Sequence, residues 1–154
     1  MAKGDLTLTL DEKDYQRLQA ALSNLSDVDQ RSAVQNALKQ GMKMVLDSAK
    51  SNLSARNKKR KGNLMKSFSM QPNKKRAYVL GGHKRPQGAA AHLVNFGTNE
   101  RWTKSGAYRG SVSKGNPNHG SNYFTDAVNT NGDAALQKVI EAVYEEIDRL
   151  YNKN

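Results

Sequence analysis

The 154-residue chain contains no cysteine. That excludes a disulfide framework, a thiolate nucleophile and any zinc site built on sulfur, and it suits a reducing compartment or an assembly without redox dependence. Long hydrophobic runs are missing too. The apolar stretches span only a few residues, against the roughly 20 that a membrane-crossing helix needs. The opening Met1-Ala2-Lys3-Gly4-Asp5 lacks the apolar core of a signal peptide. A soluble protein with no membrane contact is expected. Aromatic residues make up 6% of the chain and apolar residues 36%. So lean a core has little to set against chain entropy, and part of the surface is expected to be buried only against partner subunits. The length suggests one domain covering 1–154.

Catalytic signatures are scarce as well. His83, His92 and His119 are the only histidines, no HExxH occurs, and their spacing matches no metal signature. Pairing a histidine with Asp126 and a serine from the Gly-rich region would lack the G-x-S-x-G context that aligns such groups. Gly81-Gly82-His83-Lys84 is followed by Arg85-Pro86, so it reads as a strand end and turn rather than a phosphate loop. His92 reads as a partly buried residue hydrogen-bonded in the fold. No catalytic, cofactor or metal site is expected, and the chain is read as non-enzymatic.

What is present is positive charge, and it is concentrated. The formal net charge is +11. Between Arg56 and Lys114 stand 15 lysines and arginines against a single acid, Glu100, a local excess of +14, while the flanks together sum to −3. A basic centre of this kind suits an acidic partner surface or nucleic acid, with salt-sensitive association. The run Arg56, Lys58, Lys59, Arg60, Lys61 and the cluster Lys74–Arg76 could neutralise phosphates, and Trp102 and Tyr108 could stack on bases. Yet no helix-turn-helix, RNP or zinc-finger spacing accompanies them. The residues therefore favour a solvated loop, or one docking on an acidic neighbour, over direct nucleic-acid recognition. A basic nucleic-acid-binding protein using 56–61 and 74–76 remains the alternative.

Hydrophobic periodicity organises the chain. Leu6, Leu8 and Leu10 alternate with threonines as a short strand. Asp11 caps a helix over 11–24, with Leu18, Leu22 and Leu25 on its apolar face. Ser26 or Asp27 starts a longer helix with Val34, Leu38, Met42, Val45, Leu46, Ala49 and Leu53 along one stripe. Gly41 within it marks a close helix approach. Residues 54–62 read as an exposed basic loop. Residues 64–71 and 76–82 read as an antiparallel hairpin about a turn at Pro72–Lys75. Ala89–Val94 fits helix or strand equally. The stretch 99–121 reads as a long polar loop, and 132–151 as a closing helix. Gly62 frees a tight approach to the strand, Leu64 and Phe68 share one face of it, and Gly97 permits a turn that a side chain would obstruct.

The order of these pieces is what makes them specific. Lys61-Gly62-Asn63-Leu64-Met65-Lys66-Ser67-Phe68 follows a long helix and a basic loop. Next come His92-Leu93-Val94-Asn95-Phe96-Gly97-Thr98, then Asn122-Tyr123-Phe124-Thr125-Asp126-Ala127 and the last helix. Over about 30–150 this resembles the HK97 gp10-like family of tailed-phage proteins. Lys61 stands where that family's pattern has threonine and Asn95 where it has glutamate. The resemblance implies an α+β fold: a small antiparallel β-sheet packed by a long helix and a C-terminal helix, with long exposed loops. It implies a structural protein of the tail-completion or head–tail joining (neck) class, forming a ring, expected to be hexameric, between head-connector and tail-tube or tail-terminator proteins. The ring could touch packaged DNA. The expected location is the virion neck or tail, assembled in the host cytoplasm. Gly62, Leu64, Ser67, Phe68, Phe96, Gly97 and Thr98 are the fold motif. Arg56, Lys58, Lys59, Arg60, Lys61, Trp102, Tyr108, Tyr123 and Phe124 are the candidate interface, with Asp126, Glu141, Glu145 and Glu146 as acidic counterparts on the next subunit.

Overall fold

The computed structural model describes residues 12–56, 61–73, 78–97, 101–110 and 120–152. The expected strand at 6–10 and the cap at Asp11 lie outside them. The chain is mostly helical, with a two-stranded antiparallel sheet packed against its long helix and its C-terminal helix. Five helices are described, α1 (Glu12–Leu22), α2 (Asp27–Arg56), α3 (Lys61–Ser67), α4 (Ala91–Phe96) and α5 (Tyr123–Tyr151). Strands β1 (Phe68–Pro72) and β2 (Val79–His83) form one sheet, and β3 (Arg101–Trp102) and β4 (Tyr108–Gly110) a second.

The chain divides into two compact units, each built from separated stretches. The first takes in 46–69 and 82–129, and the second 6–45, 70–81 and 130–154. Both α2 and α5 contribute to each.

In the second unit, α1 packs Leu18 with Ala37 of α2 and Val139, Ala142, Val143 and Ile147 of α5. Ser26 sets the start of α2: its hydroxyl accepts the Asp29 N–H at 3.2 Å and donates to the Asp29 carboxylate at 2.7 Å. Asp27 and Asp29 in that first turn also favour the helix dipole. Along α2, Ala33, Ala37 and Gly41 recur every fourth residue and are all buried. That small-residue row lets α5 come close. A Cβ on Gly41 would sit 2.5 Å from Val139 Cγ2 and 2.8 Å from the Ala135 carbonyl oxygen. The sheet reaches α2 here through Gly81, whose vacant side-chain position is filled by the Met42 thioether, and through the Gln35 amide donating to the Asn73 carbonyl.

In the first unit, Ala49 and Leu53 of α2, Leu64 of α3, Val94 of α4 and Tyr123 and Ala127 of α5 form the core, with Met65, Phe68, Ala91 and Phe124 against it. Leu53 and Tyr123 are almost wholly enclosed, each worth about 1.5–3 kcal/mol in removed apolar area.

Four expectations change. Residues 64–67 are helical, and the strand begins only at Phe68. Leu64 and Ser67, three residues apart on a helix, face the same core, and both are buried. Second, α2 runs on to Arg56, so Ser54–Arg56 belong to a helix and not to a basic loop. Third, α5 starts at Tyr123, nine residues before the expected 132. Asn129, Thr130, Asn131 and Gly132 are poor helix formers, and tertiary contacts override that local preference. Fourth, the stretch 99–121 is not featureless: 101–110 is the β3–β4 hairpin. Ala89–Val94, which periodicity left open, is largely the helix α4.

Candidate functional site

The most concentrated polar chemistry lies where α3, β1, β2 and α5 meet in the first unit. Ser67 closes α3, His83 ends β2 and Tyr123 opens α5. The Ser67 hydroxyl donates to the Leu64 carbonyl at 2.8 Å, the turn geometry that two residues three apart on a helix provide. His83 Nδ1 lies 2.6 Å from Ser67 Oγ, and Nε2 lies 2.7 Å from the Tyr123 hydroxyl. One assignment satisfies every atom. Tyr123 O–H donates to Nε2, Nδ1–H donates to Ser67 Oγ, and Ser67 O–H donates to Leu64. Phe68 packs on the imidazole with centroids 4.1 Å apart, and Tyr123 meets it edge-on at 5.7 Å. Lys50 Nζ sits 5.8 Å above the Phe68 ring.

This arrangement fixes the imidazole as neutral. Burial lowers the His83 pKa from 6.5 to about 4, with the Leu64 carbonyl pulling weakly the other way. Burial also pushes the Tyr123 phenol above its ordinary value. Serine, histidine and a third oxygen in line suggest nucleophilic catalysis, but the geometry opposes it. Ser67 is 3% exposed and its proton is held by a backbone carbonyl rather than by the imidazole. A substrate carbonyl has no approach to Oγ. The chain of bonds is a closed, satisfied network that ties three elements together. No group of three or more potential metal ligands occurs among the described residues.

A second polar device lies at the start of α5. Asn95 of α4 is buried, and its Oδ1 accepts the backbone N–H of Phe124 at 2.9 Å and of Thr125 at 3.4 Å. Its Nδ2 donates to Thr125 Oγ1 at 2.8 Å. Asn95 thus caps α5 from outside that helix, satisfying N–H groups that have no intrahelical partner. The main chain reinforces it: Ser121 N–H and Asn122 N–H donate to Val94 and Asn95 carbonyls at 2.9 and 2.8 Å. Gly97, at φ 79°, ends α4 in the left-handed region that favours glycine. Gly120 lies so close to the Asn95–Gly97 backbone that no Cβ would fit.

Residues 16–97, more than half of the chain, match the family model described as "Bacteriophage HK97-gp10, putative tail-component". The chain belongs to the HK97 gp10-like family. It is a phage tail component. No curated protein and no solved structure matches it. The matched region begins earlier than the resemblance read over 30–150 and ends at Gly97. Ser67, His83, Asn95 and Gly97 therefore fall inside it, while Tyr123 and Thr125, which complete the two devices, follow it. No helix among the described residues is long and apolar enough to cross a membrane.

Within this gp10-like subunit the expected residues separate into two sets. Leu64 and Ser67 are buried, Phe68 is partly so, and Gly62 and Phe96 are exposed; Thr98 lies outside the described residues. Of the interface candidates, Tyr123 is 1% exposed and belongs to the subunit's own core, because its hydroxyl is needed by His83. Phe124 is partly buried beside it. Arg56 donates from Nη1 to the Ser121 carbonyl at 2.7 Å and to Asp126 at 2.5 Å, so this cation is already engaged within the chain. Trp102 is 64% exposed, and Tyr108 is its register partner across the β3–β4 hairpin. Residues 58–60 and 74–76, and His119, lie outside the described residues, as does the side chain of Lys61. His92 is exposed on α4, not partly buried as expected. The acidic counterparts are also engaged internally: Glu141 and Glu145 flank Lys138 at 3.6 and 3.7 Å, and Glu146 holds Arg149 at 2.6 Å. Sequence reading missed His83 as the hub. Its partners are 16 and 40 residues away, and no local spacing encodes such a meeting.

Proposed function

We propose that this gp10-like protein is a non-enzymatic structural subunit that completes the tail at the head–tail junction, assembling as a ring of six in contact with head-connector and tail-tube or tail-terminator proteins. The observation that carries the reading is the family match over 16–97. Two further features support it. Among the described residues, the Ser67–His83–Tyr123 cluster, which has catalytic residue types, is closed and internally satisfied. A chain lean in apolar residues leaves Val28, Leu80 and Phe96 47–71% exposed, which a lone soluble subunit gains nothing from and a multi-sided contact would cover. A ring requires heterologous contacts, in which two different faces of each subunit meet.

The single domain over 1–154 is part of this proposal. Each compact unit is assembled from separated stretches, and both long helices run through both units, so no continuous segment contains either one. The test combines native mass measurement and electron microscopy of the purified protein with a phage or prophage lacking the gene. The expected results are closed rings, and filled heads that accumulate apart from tails. A protein that stays monomeric alone and beside its neighbouring virion proteins, or infectious particles formed without it, would overturn the proposal.

A further inference from the structure

The β3–β4 hairpin is built to present an aromatic ring in a field of positive charge. Its turn is locked from within. Thr103 N–H donates to the Ala107 carbonyl at 2.9 Å, Gly106 N–H to the Thr103 carbonyl at 3.0 Å, and Ala107 N–H to Thr103 Oγ1 at 3.0 Å. Thr103 and Ser105 hydroxyls meet at 2.8 Å, and Gly106 takes the φ of 80° that the turn demands. On this short frame Trp102 is 64% exposed, the most exposed aromatic among the described residues. Tyr108 occupies the opposite register position. Arg101, Lys104, Arg109 and Lys114 punctuate the surrounding sequence, and from Arg101 to Thr125 there is no acidic residue. Lys104, at the turn, is exposed.

The geometry points to a binding site for single-stranded nucleic acid, in which an unpaired base stacks on Trp102 while Lys104 neutralises a flanking phosphate. Three considerations select this ligand over an acidic protein. Surfaces that meet nucleic acid are far more positive than surfaces that meet protein, and the stretch from Arg101 to Thr125 carries Arg101, Lys104, Arg109 and Lys114 with no acid among them. The nearest acids in the sequence, Glu100 and Asp126, flank the hairpin stretch and do not interrupt it. A second copy of the chain would bring a further +11 of its own, whereas a polynucleotide brings one negative charge per residue and a π-face with each base. The pre-formed turn lowers the ordering cost of binding. This site is independent of the ring reading and differs in place from the basic runs 56–61 and 74–76.

Trp102 is the only tryptophan of the chain, so its fluorescence reports on the hairpin alone. The test titrates the full chain with a thymidine oligonucleotide of about 20 nucleotides, its duplex with the complement, and poly-glutamate of similar charge. The expected result is quenching by the single strand, reversed by salt, with little change for the duplex or the polypeptide. With a labelled oligonucleotide, Trp102→Ala should weaken binding about tenfold and Trp102→Phe should recover most of it. Lys104→Gln should lower the slope of log affinity against log salt by about 0.7. Circular dichroism of all three variants should show the wild-type fold, which separates a loss of binding from a loss of structure. Absence of quenching by the single strand, equal quenching by poly-glutamate or by duplex, or undiminished binding by Trp102→Ala would each overturn the assignment.

Discussion

Acidification should unlock the subunit at His83, and the size of the effect follows from the structure. In the native protein the imidazole titrates near 4, because burial disfavours its charged form and both ring nitrogens are engaged. In the unfolded chain it titrates near the ordinary 6.5. Between those two values the unfolded state binds a proton that the native state refuses, so stability falls as pH falls. The contribution is fully present above 6.5, is lost progressively down to about 4, and is constant below. The full interval corresponds to at most about 3 kcal/mol, and partial access of water to the ring reduces this to about 2 kcal/mol. That is a large share of the ~5–15 kcal/mol that holds a typical domain together.

The assay is urea denaturation of the wild type and of His83→Gln from about pH 7.5 to 4.5. Every other side chain is common to the two proteins, so the difference between the two curves isolates the imidazole. Tyr123 and Ser67 face the ring directly, and Lys50 stands above the adjacent Phe68 in both proteins. The wild type should be the more stable at neutral pH, and its advantage should shrink by about 2 kcal/mol at the acid end. An advantage constant to within about 0.5 kcal/mol would refute the reasoning, since the imidazole would then titrate alike in both states. On the alkaline side the sign reverses. The raised Tyr123 phenol resists ionisation in the native state, so stability should decline again once the unfolded chain ionises above 10.

Three further outcomes follow from single contacts. Gly41→Ala should lower the melting temperature, at a cost of about 1–3 kcal/mol, since the added methyl meets a backbone carbonyl oxygen of Ala135 that cannot turn away; an unchanged or raised value would show that α2 and α5 are less closely packed. Asn95→Ala should cost about 2 kcal/mol in chemical denaturation, more than an ordinary exposed cap, because it strips the first N–H groups of α5 and leaves Thr125 short of a donor; Asn95→Asp should recover part of the loss by restoring the acceptor. Asp126→Asn should change stability by less than about 1 kcal/mol, the range of solvent-accessible ion pairs, and a larger loss would mark Arg56 as structural.

The elements that sequence could locate are those whose signals are local. Leu18, Leu22 and Leu25 at helical spacing gave α1 to within a residue or two at each end, and Ser26 or Asp27 marked the start of α2. Gly41 could be read as a close approach because glycine inside a long amphipathic stretch has few other reasons to persist. The start of α5 was illegible for the opposite reason. Its first turns hold asparagine, threonine and glycine, and the residue that stabilises them, Asn95, arrives from another helix. Leu64 and Phe68 fit one face of a strand as well as successive turns, and only their meeting with Leu53 and Tyr123 decides between the two readings. Trp102 and the surrounding cations were visible as composition, but the locked turn that displays them depends on hydrogen bonds that no propensity scale anticipates.

The boundary of the family match sharpens what the fold motif does. The match stops at Gly97, so α5 is not part of what places the chain in the family. Yet the two polar devices of the first unit each join a matched residue to the opening of α5, His83 to Tyr123 and Asn95 to Phe124 and Thr125. Ser67 and Leu64 are thereby given a second role beside filling space: through the Leu64 carbonyl and the Ser67 hydroxyl they fix the imidazole tautomer, and the tautomer determines that Nε2 accepts from Tyr123. Leu64, Ser67, His83 and Asn95 thus act together as a receiver for the start of the C-terminal helix. In Gly97, φ 79° turns the chain out of α4 immediately after Asn95 has been aimed at α5. A helix held this way depends on side chains far away in sequence, which is why its own first residues could be free of helical preference.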